Sequence, residues 1–173
     1  MEENKTLEKL YKYIDEQQIK LKYVNDLEYN YNLCGLYAYT EDTPVILLDS
    51  KLEKDTKKHV SVLAEECGHY VTSYGNSIEP AKGINDIIEV NKTELKADKW
   101  KCQFIIPEQE LKNKLLKCNS LLEVASSLDI DVEIVLNRLI YLSRQSYVYW
   151  LSDNTCIDLT SLPNLHKVDI NNK

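Results

Sequence analysis

Leu63-Ala64-Glu65-Glu66-Cys67-Gly68-His69-Tyr70 is the stretch on which the reading of this chain turns. Its spacing is that of H-E-x-x-H, in which two metal ligands stand four residues apart on a helix and the glutamate between them is a general base. Roughly 3.6 residues per turn stack positions i and i+4 on one helix face. Glu65 and His69 hold the two ligand positions here, and Glu66 holds the base position. Glutamate replaces the first histidine, which the chemistry permits, because carboxylate oxygen and imidazole nitrogen are both ordinary zinc ligands. E-E-x-x-H also arises on charged helix surfaces that bind nothing, so a third ligand has to come from elsewhere in the chain.

Composition sets the frame for that search. At 173 residues the chain is long enough for a well-buried core. Its 43% hydrophobic and 28% charged content is ordinary for a folded globular protein. Four Gly and four Pro leave little room for a turn-rich all-β architecture. No run of 18 apolar residues is present, so no membrane span is expected, and the charged, amphipathic N-terminus carries no export signal core. Five cysteines without a CxxC pair fit reduced thiols, so a cytoplasmic location is expected. A net charge of −7 argues against a nucleic-acid surface, since neutralising phosphates takes clustered Lys and Arg.

Periodicity divides the chain. Leu7, Leu10, Tyr11 and Ile14 predict an amphipathic helix over about 5–18. Residues 19–49 read as strands, Ile19–Val24 and Val45–Leu48 with Cys34–Tyr39 between them, and Gly35 as a turn or bulge. Val60, Leu63, Cys67, Tyr70, Val71 and Tyr74 make the apolar face of a helix over about 52–74, stopped at Gly75-Asn76. A loop with Pro80 and Gly83 leads to a helix over about 89–104. Further helices are expected from Pro107, over 120–128 and over 131–144. A β-hairpin, 146–151 with 155–159, then precedes a loose polar tail.

The third ligand is sought in Thr93-Glu94-Leu95-Lys96-Ala97-Asp98-Lys99-Trp100. From one helix later, Glu94 can reach across to the Glu65–His69 face. Ala97 lies on the same side and is small enough to let the two helices approach closely, and Gly68 fits the same geometry, its missing side chain leaving room for a packed neighbour beside the metal. The blander account makes Glu94 one more solvated helix glutamate. Three other readings are weaker. Glu66-x-x-His69 is also the di-iron carboxylate unit, but that site needs a second copy, and Thr56 and Pro163 stand three residues before the other histidines. His59 reads as a solvent-facing residue and Cys67 as a small packed hydrophobe. Leu121–Leu139 resembles a helix-turn-helix, yet its second helix offers Asp131, Glu133 and a single Arg138, which suits a scaffold or protein-binding element better than a DNA reader.

Taken together, Gly35-Leu36-Tyr37, Val45-Ile46-Leu47-Leu48-Asp49, Leu63–Ser73 and Gly75-Asn76, then Glu94-x-x-Ala97-x-x-Trp100 and Phe104-Ile105-Ile106-Pro107, resemble the ImmA/IrrE family of metallopeptidases across about residues 19–145. The resemblance implies an α+β fold: a zincin-like domain of a small antiparallel sheet and active-site helices over 1–106, a helical extension over 107–145, and a C-terminal hairpin and tail over 146–173, forming one compact unit. It implies Glu65, His69 and Glu94 as ligands of one divalent metal, zinc first and manganese or iron as alternatives, with Glu66 as catalytic base. The implied partner is a helix-turn-helix repressor of a phage or mobile element, cleaved by the protein or, in a rival reading, bound without hydrolysis. Glu65 departs from the family's commonest pattern, which has histidine there. Two carboxylates and one imidazole neutralise a divalent ion, making it a poorer Lewis acid and widening the choice towards Mn²⁺ or Fe²⁺.

Overall fold

Helix α1 (Lys5–Glu16) is started by Asn4, whose side chain accepts from the Thr6 and Leu7 N–H groups, and it buries Leu10 and Ile14. The structure is a computed structural model and describes residues 4–73 and 84–170. The chain is α+β, and it divides into two compact units, residues 1–101 and 102–173.

In the first unit, β1 (Lys20–Val24), β2 (Gly35–Thr40) and β3 (Thr43–Asp49) form a three-stranded sheet in the order β1-β3-β2. β2 and β3 are a hairpin closed by Glu41 and Asp42, both at positive φ, as a tight two-residue turn requires. β1 runs parallel to β3, so the sheet is mixed, not antiparallel as the resemblance implied. The difference arises between β1 and β2. A short helix α2 (Leu27–Tyr31), absent from the strand reading of 19–49, is pinned by buried Leu27 and flanked by left-handed Asp26 and Asn32, and it carries the chain across. Buried Asp49 accepts from the Glu28 and Lys51 N–H groups and so ties α2 to the end of β3.

Helix α3 (Thr56–Thr72) follows a 3-10 turn at Ser50–Lys54 and is capped by Asp55, which accepts from the Lys58 N–H. It packs on α1, β2 and β3 and buries Val60, Leu63, Ala64 and Cys67. Cys67 is a packed hydrophobe, as expected. His59 is not solvent-facing: it is 3% exposed, its Nε2 is 3.0 Å from the Tyr23 hydroxyl, and burial pushes its pKa down. Tyr11 and Tyr23 come from α1 and β1, too distant in sequence for helical periodicity to reveal them. The expected stop at Gly75-Asn76 and the loop with Pro80 and Gly83 lie outside the described residues. Helix α4 (Ile84–Ile105) comes next.

The second unit comprises α5 (Glu108–Lys117), α6 (Leu121–Leu128), α7 (Val132–Ser143) and a three-stranded antiparallel sheet, β4 (Val148–Trp150), β5 (Thr155–Asp158) and β6 (His166–Asp169). The residues read as a loose tail thus supply a strand, β6, on the free edge of the expected hairpin; its four polar-rich residues are too short a run to announce it. α6 and α7 pack together across Asp129–Asp131. Arg138, the one base on α7, is 6% exposed, with its Nε 3.5 Å from the Ile106 carbonyl. The exposed start of α7 carries Val132 and Glu133. Phosphate contact needs accessible cations, so the purified protein is expected not to shift DNA in a gel at physiological salt. A salt-sensitive, sequence-selective shift at submicromolar protein would overturn this.

No helix among the described residues is long and apolar enough to cross a membrane.

Candidate metal centre

Glu65 and His69 lie one turn apart on α3, and Glu94 faces them from α4. One ligand atom from each of the three lies within 4.8 Å of the others. The approach depends on Gly68. A Cβ there would stand 2.6 Å from the Ala97 carbonyl oxygen and 3.0 Å from its Cα, so α3 and α4 touch backbone to backbone at this point. Ala97 is fully buried, as the spacing Glu94-x-x-Ala97 suggested.

The donor set suits a divalent ion. Donors at about 2.1 Å from a tetrahedral ion stand about 3.4 Å apart. His69 Nε2 and Glu94 Oε2 are 3.4 Å apart as they stand. His69 Nδ1 is buried and has no hydrogen-bond partner among the described residues, an under-satisfied polar atom of the kind that marks functional sites. Support from outside the ligand set falls instead on Glu65. Its Oε2 accepts from Lys101 Nζ at 2.8 Å, and the same ammonium meets Asp98 Oδ1 at 2.7 Å. Lys101, 8% exposed, went unnoticed in the sequence, although it falls on the α4 face of Glu94 and Asp98, seven and three residues earlier.

Glu66 points to the other side of the ligand row, towards β2. It is 8% exposed, and its pKa is pushed up to about 8. Burial is the main cause and the neighbouring Glu65 carboxylate the second, while the Tyr37 backbone N–H that it accepts from pulls the other way. Gly35 makes room for it: a Cβ there would fall 2.7 Å from Glu66 Oε1 and 2.6 Å from Val62 Cγ1. Gly35 is thus neither turn nor bulge. It begins β2, and its missing side chain lets Glu66 lie against the strand.

Glu65, Glu66, His69 and Glu94 line a pocket of about 350 Å³ together with Asn32–Tyr37 and Val62. The site thus combines a carboxyl group of raised pKa, a set of donors of the kind that can hold a metal, and a pocket lined by both. No known protein family, curated protein or solved structure was found to match this chain.

Proposed function

We propose that the chain is a metal-dependent endopeptidase that cleaves a partner helix-turn-helix repressor of a phage or mobile element. The observation that carries this is the placing of buried Glu66 next to the Glu65–His69–Glu94 set and on the same pocket. Glu65, His69 and Glu94 would hold the ion, zinc or one of its manganese or iron alternatives. Bound there, a divalent ion supplies Lewis acidity, lowering the pKa of water and polarising a carbonyl. Glu66 then serves as the base, its carboxylate held by the Tyr37 N–H and sheltered from solvent. A protein substrate, in preference to a small molecule, is favoured by the pocket's lip. Asn32 and Leu33 line it, and the helix leading into it leaves Tyr29 83% and Tyr31 70% exposed, an aromatic surface of the sort that partner proteins cover.

A second reading, a repressor-binding protein that does little or no hydrolysis, is favoured by the presence of two carboxylates, Glu65 and Glu94, in the donor set, because they would leave a bound ion a poorer Lewis acid. Co-expression of the repressor with wild type and with His69→Ala, followed by mass analysis of the repressor, separates the two. Cleavage at one site by wild type alone is the expected result. Intact repressor bound equally by both proteins would favour the second reading.

A further inference from the structure

We propose that Lys101 is a positioning residue for Glu65, holding that carboxylate as a single-oxygen donor and offsetting its charge, and that it thereby sets which metal the centre selects. The inference rests on the reading of Glu65, His69 and Glu94 as ligands.

An ammonium buried as deeply as this one must be paired. Lys101 has two partners, and they play different parts. Asp98, three residues earlier on the same helix, fixes where the ammonium sits. Glu65, on the facing helix, receives it through Oε2 at 2.8 Å, which leaves one carboxylate oxygen to give to a metal. Asp98–Lys101–Glu65 is therefore a chain of outer groups ending on a ligand. Such outer groups fix a ligand's orientation, and losing one typically costs about 10–100-fold in metal affinity. A structural ion pair would serve as well between any two carboxylates; this one ends on a candidate ligand.

The charge balance points the same way. A histidine, histidine, glutamate set carries one negative charge, whereas Glu65, His69 and Glu94 carry two with neutral His69. The Lys101 ammonium returns part of the difference, the remainder being shared with Asp98. The pair Glu65–Lys101 thus stands closer to a neutral imidazole than Glu65 alone would. Without Lys101, the carboxylate would be free to chelate through both oxygens and would be fully negative. Those properties suit larger, oxygen-preferring ions of higher coordination number, Mn²⁺ above Zn²⁺.

The test titrates chelator-stripped wild type, Lys101→Met and Lys101→Arg with Zn²⁺ and Mn²⁺ against a competing chelator, and records the visible spectrum of each with Co²⁺. Wild type is expected to bind one ion and to prefer zinc. In Lys101→Met, zinc affinity is expected to fall about 10–100-fold while manganese affinity holds or rises. The Co²⁺ bands should weaken as coordination number increases, and Lys101→Arg should keep most of the wild-type preference. If thermal melting shows Lys101→Met unfolded, Lys101→Gln, which keeps a donor and loses the charge, is read by the same criteria. An unchanged zinc-to-manganese ratio and an unchanged Co²⁺ spectrum in the folded variant would overturn the role of Lys101 and leave the ligand reading intact. Failure of wild type to take up any of the three ions would overturn both.

Discussion

Glu66→Gln is expected to leave one metal ion bound per chain while lowering repressor cleavage by about 10²–10⁴-fold, the usual cost of losing a general base. Glutamine keeps the size of the side chain and an oxygen for the Tyr37 N–H, so the fit against Gly35 and Val62 is preserved. What it lacks is the ability to take a proton from the attacking water. Since Glu66 lies outside the Glu65–His69–Glu94 set, metal content separates its role from theirs. Metal analysis and repressor mass spectra on the same preparation decide it. Full cleavage by Glu66→Gln would remove the base assignment, and loss of the metal would make Glu66 a ligand.

The same substitution has a pH signature in the metal-free protein. The Glu66 pKa rises from 4.5 to about 8 on folding, mainly through burial. A carboxyl group whose folded pKa is raised binds its proton more tightly in the folded state. Its contribution to stability is therefore fully present below the unfolded pKa and is lost as pH rises through the folded one. At one pKa unit per about 1.4 kcal/mol, the loss between pH 5 and pH 9 is on the order of a few kcal/mol. Chelator-treated wild type should accordingly melt lower at pH 9 than at pH 6, and Glu66→Gln should flatten that slope. Parallel melting curves for the two proteins across this range would exclude Glu66 as the cause.

How much of this site is legible in sequence depends on how far apart its parts lie. Glu65, Glu66 and His69 share one helix, where an i,i+4 spacing is itself a statement of geometry. Glu94 and Ala97 are within reach because their helix comes next and small residues at a crossing are informative. Lys101 is not, since a lysine on a charged helix says nothing until the facing carboxylate is known, although its register with Asp98 is visible. Gly35 misleads for a similar reason. Glycine at a strand start suggests a turn, and only the packed structure shows that the missing atom belongs to the Glu66 side chain's space. In the fold, local periodicity carries the helices. The parallel pairing of β1 with β3 is a non-local contact, and α2 is held by Leu27 and Asp49 more than by helical pattern. β6 depends on β5 for its partners, so its own four residues carry little signal.

Gly68→Val is expected to destabilise the first unit and to damage the candidate metal centre with it. Two effects oppose each other. Replacing a mid-helix glycine gains intrinsic helix propensity, at most about 1 kcal/mol even for alanine and less for a β-branched residue. Against this, the new Cβ would stand 2.6 Å from the Ala97 carbonyl oxygen and 3.0 Å from its carbonyl carbon and Cα. These are backbone atoms within α4, so no rotamer change relieves the clash and the helices must separate. Overpacking of a rigid contact costs typically about 1–3 kcal/mol and occasionally more, and valine adds two methyl groups to the alanine clash. The steric effect therefore wins, and Gly68→Ala should fall between wild type and valine. At about 2–4 °C per kcal/mol for a chain of this size, valine should lower the melting midpoint by several degrees. Because Glu94 rides on α4 and His69 follows Gly68 directly on α3, spreading the helices also lengthens the 3.4 Å separation between these two candidate ligands. Metal affinity should then fall in the same order, wild type above alanine above valine. Melting curves with and without added zinc measure both effects at once, because an ion bound only by the folded state raises the midpoint in proportion to its affinity. A valine variant that melts with wild type and gains as much from zinc would mean that α3 and α4 do not meet at Gly68 and Ala97, and the geometry bringing Glu94 to His69 would have to be abandoned.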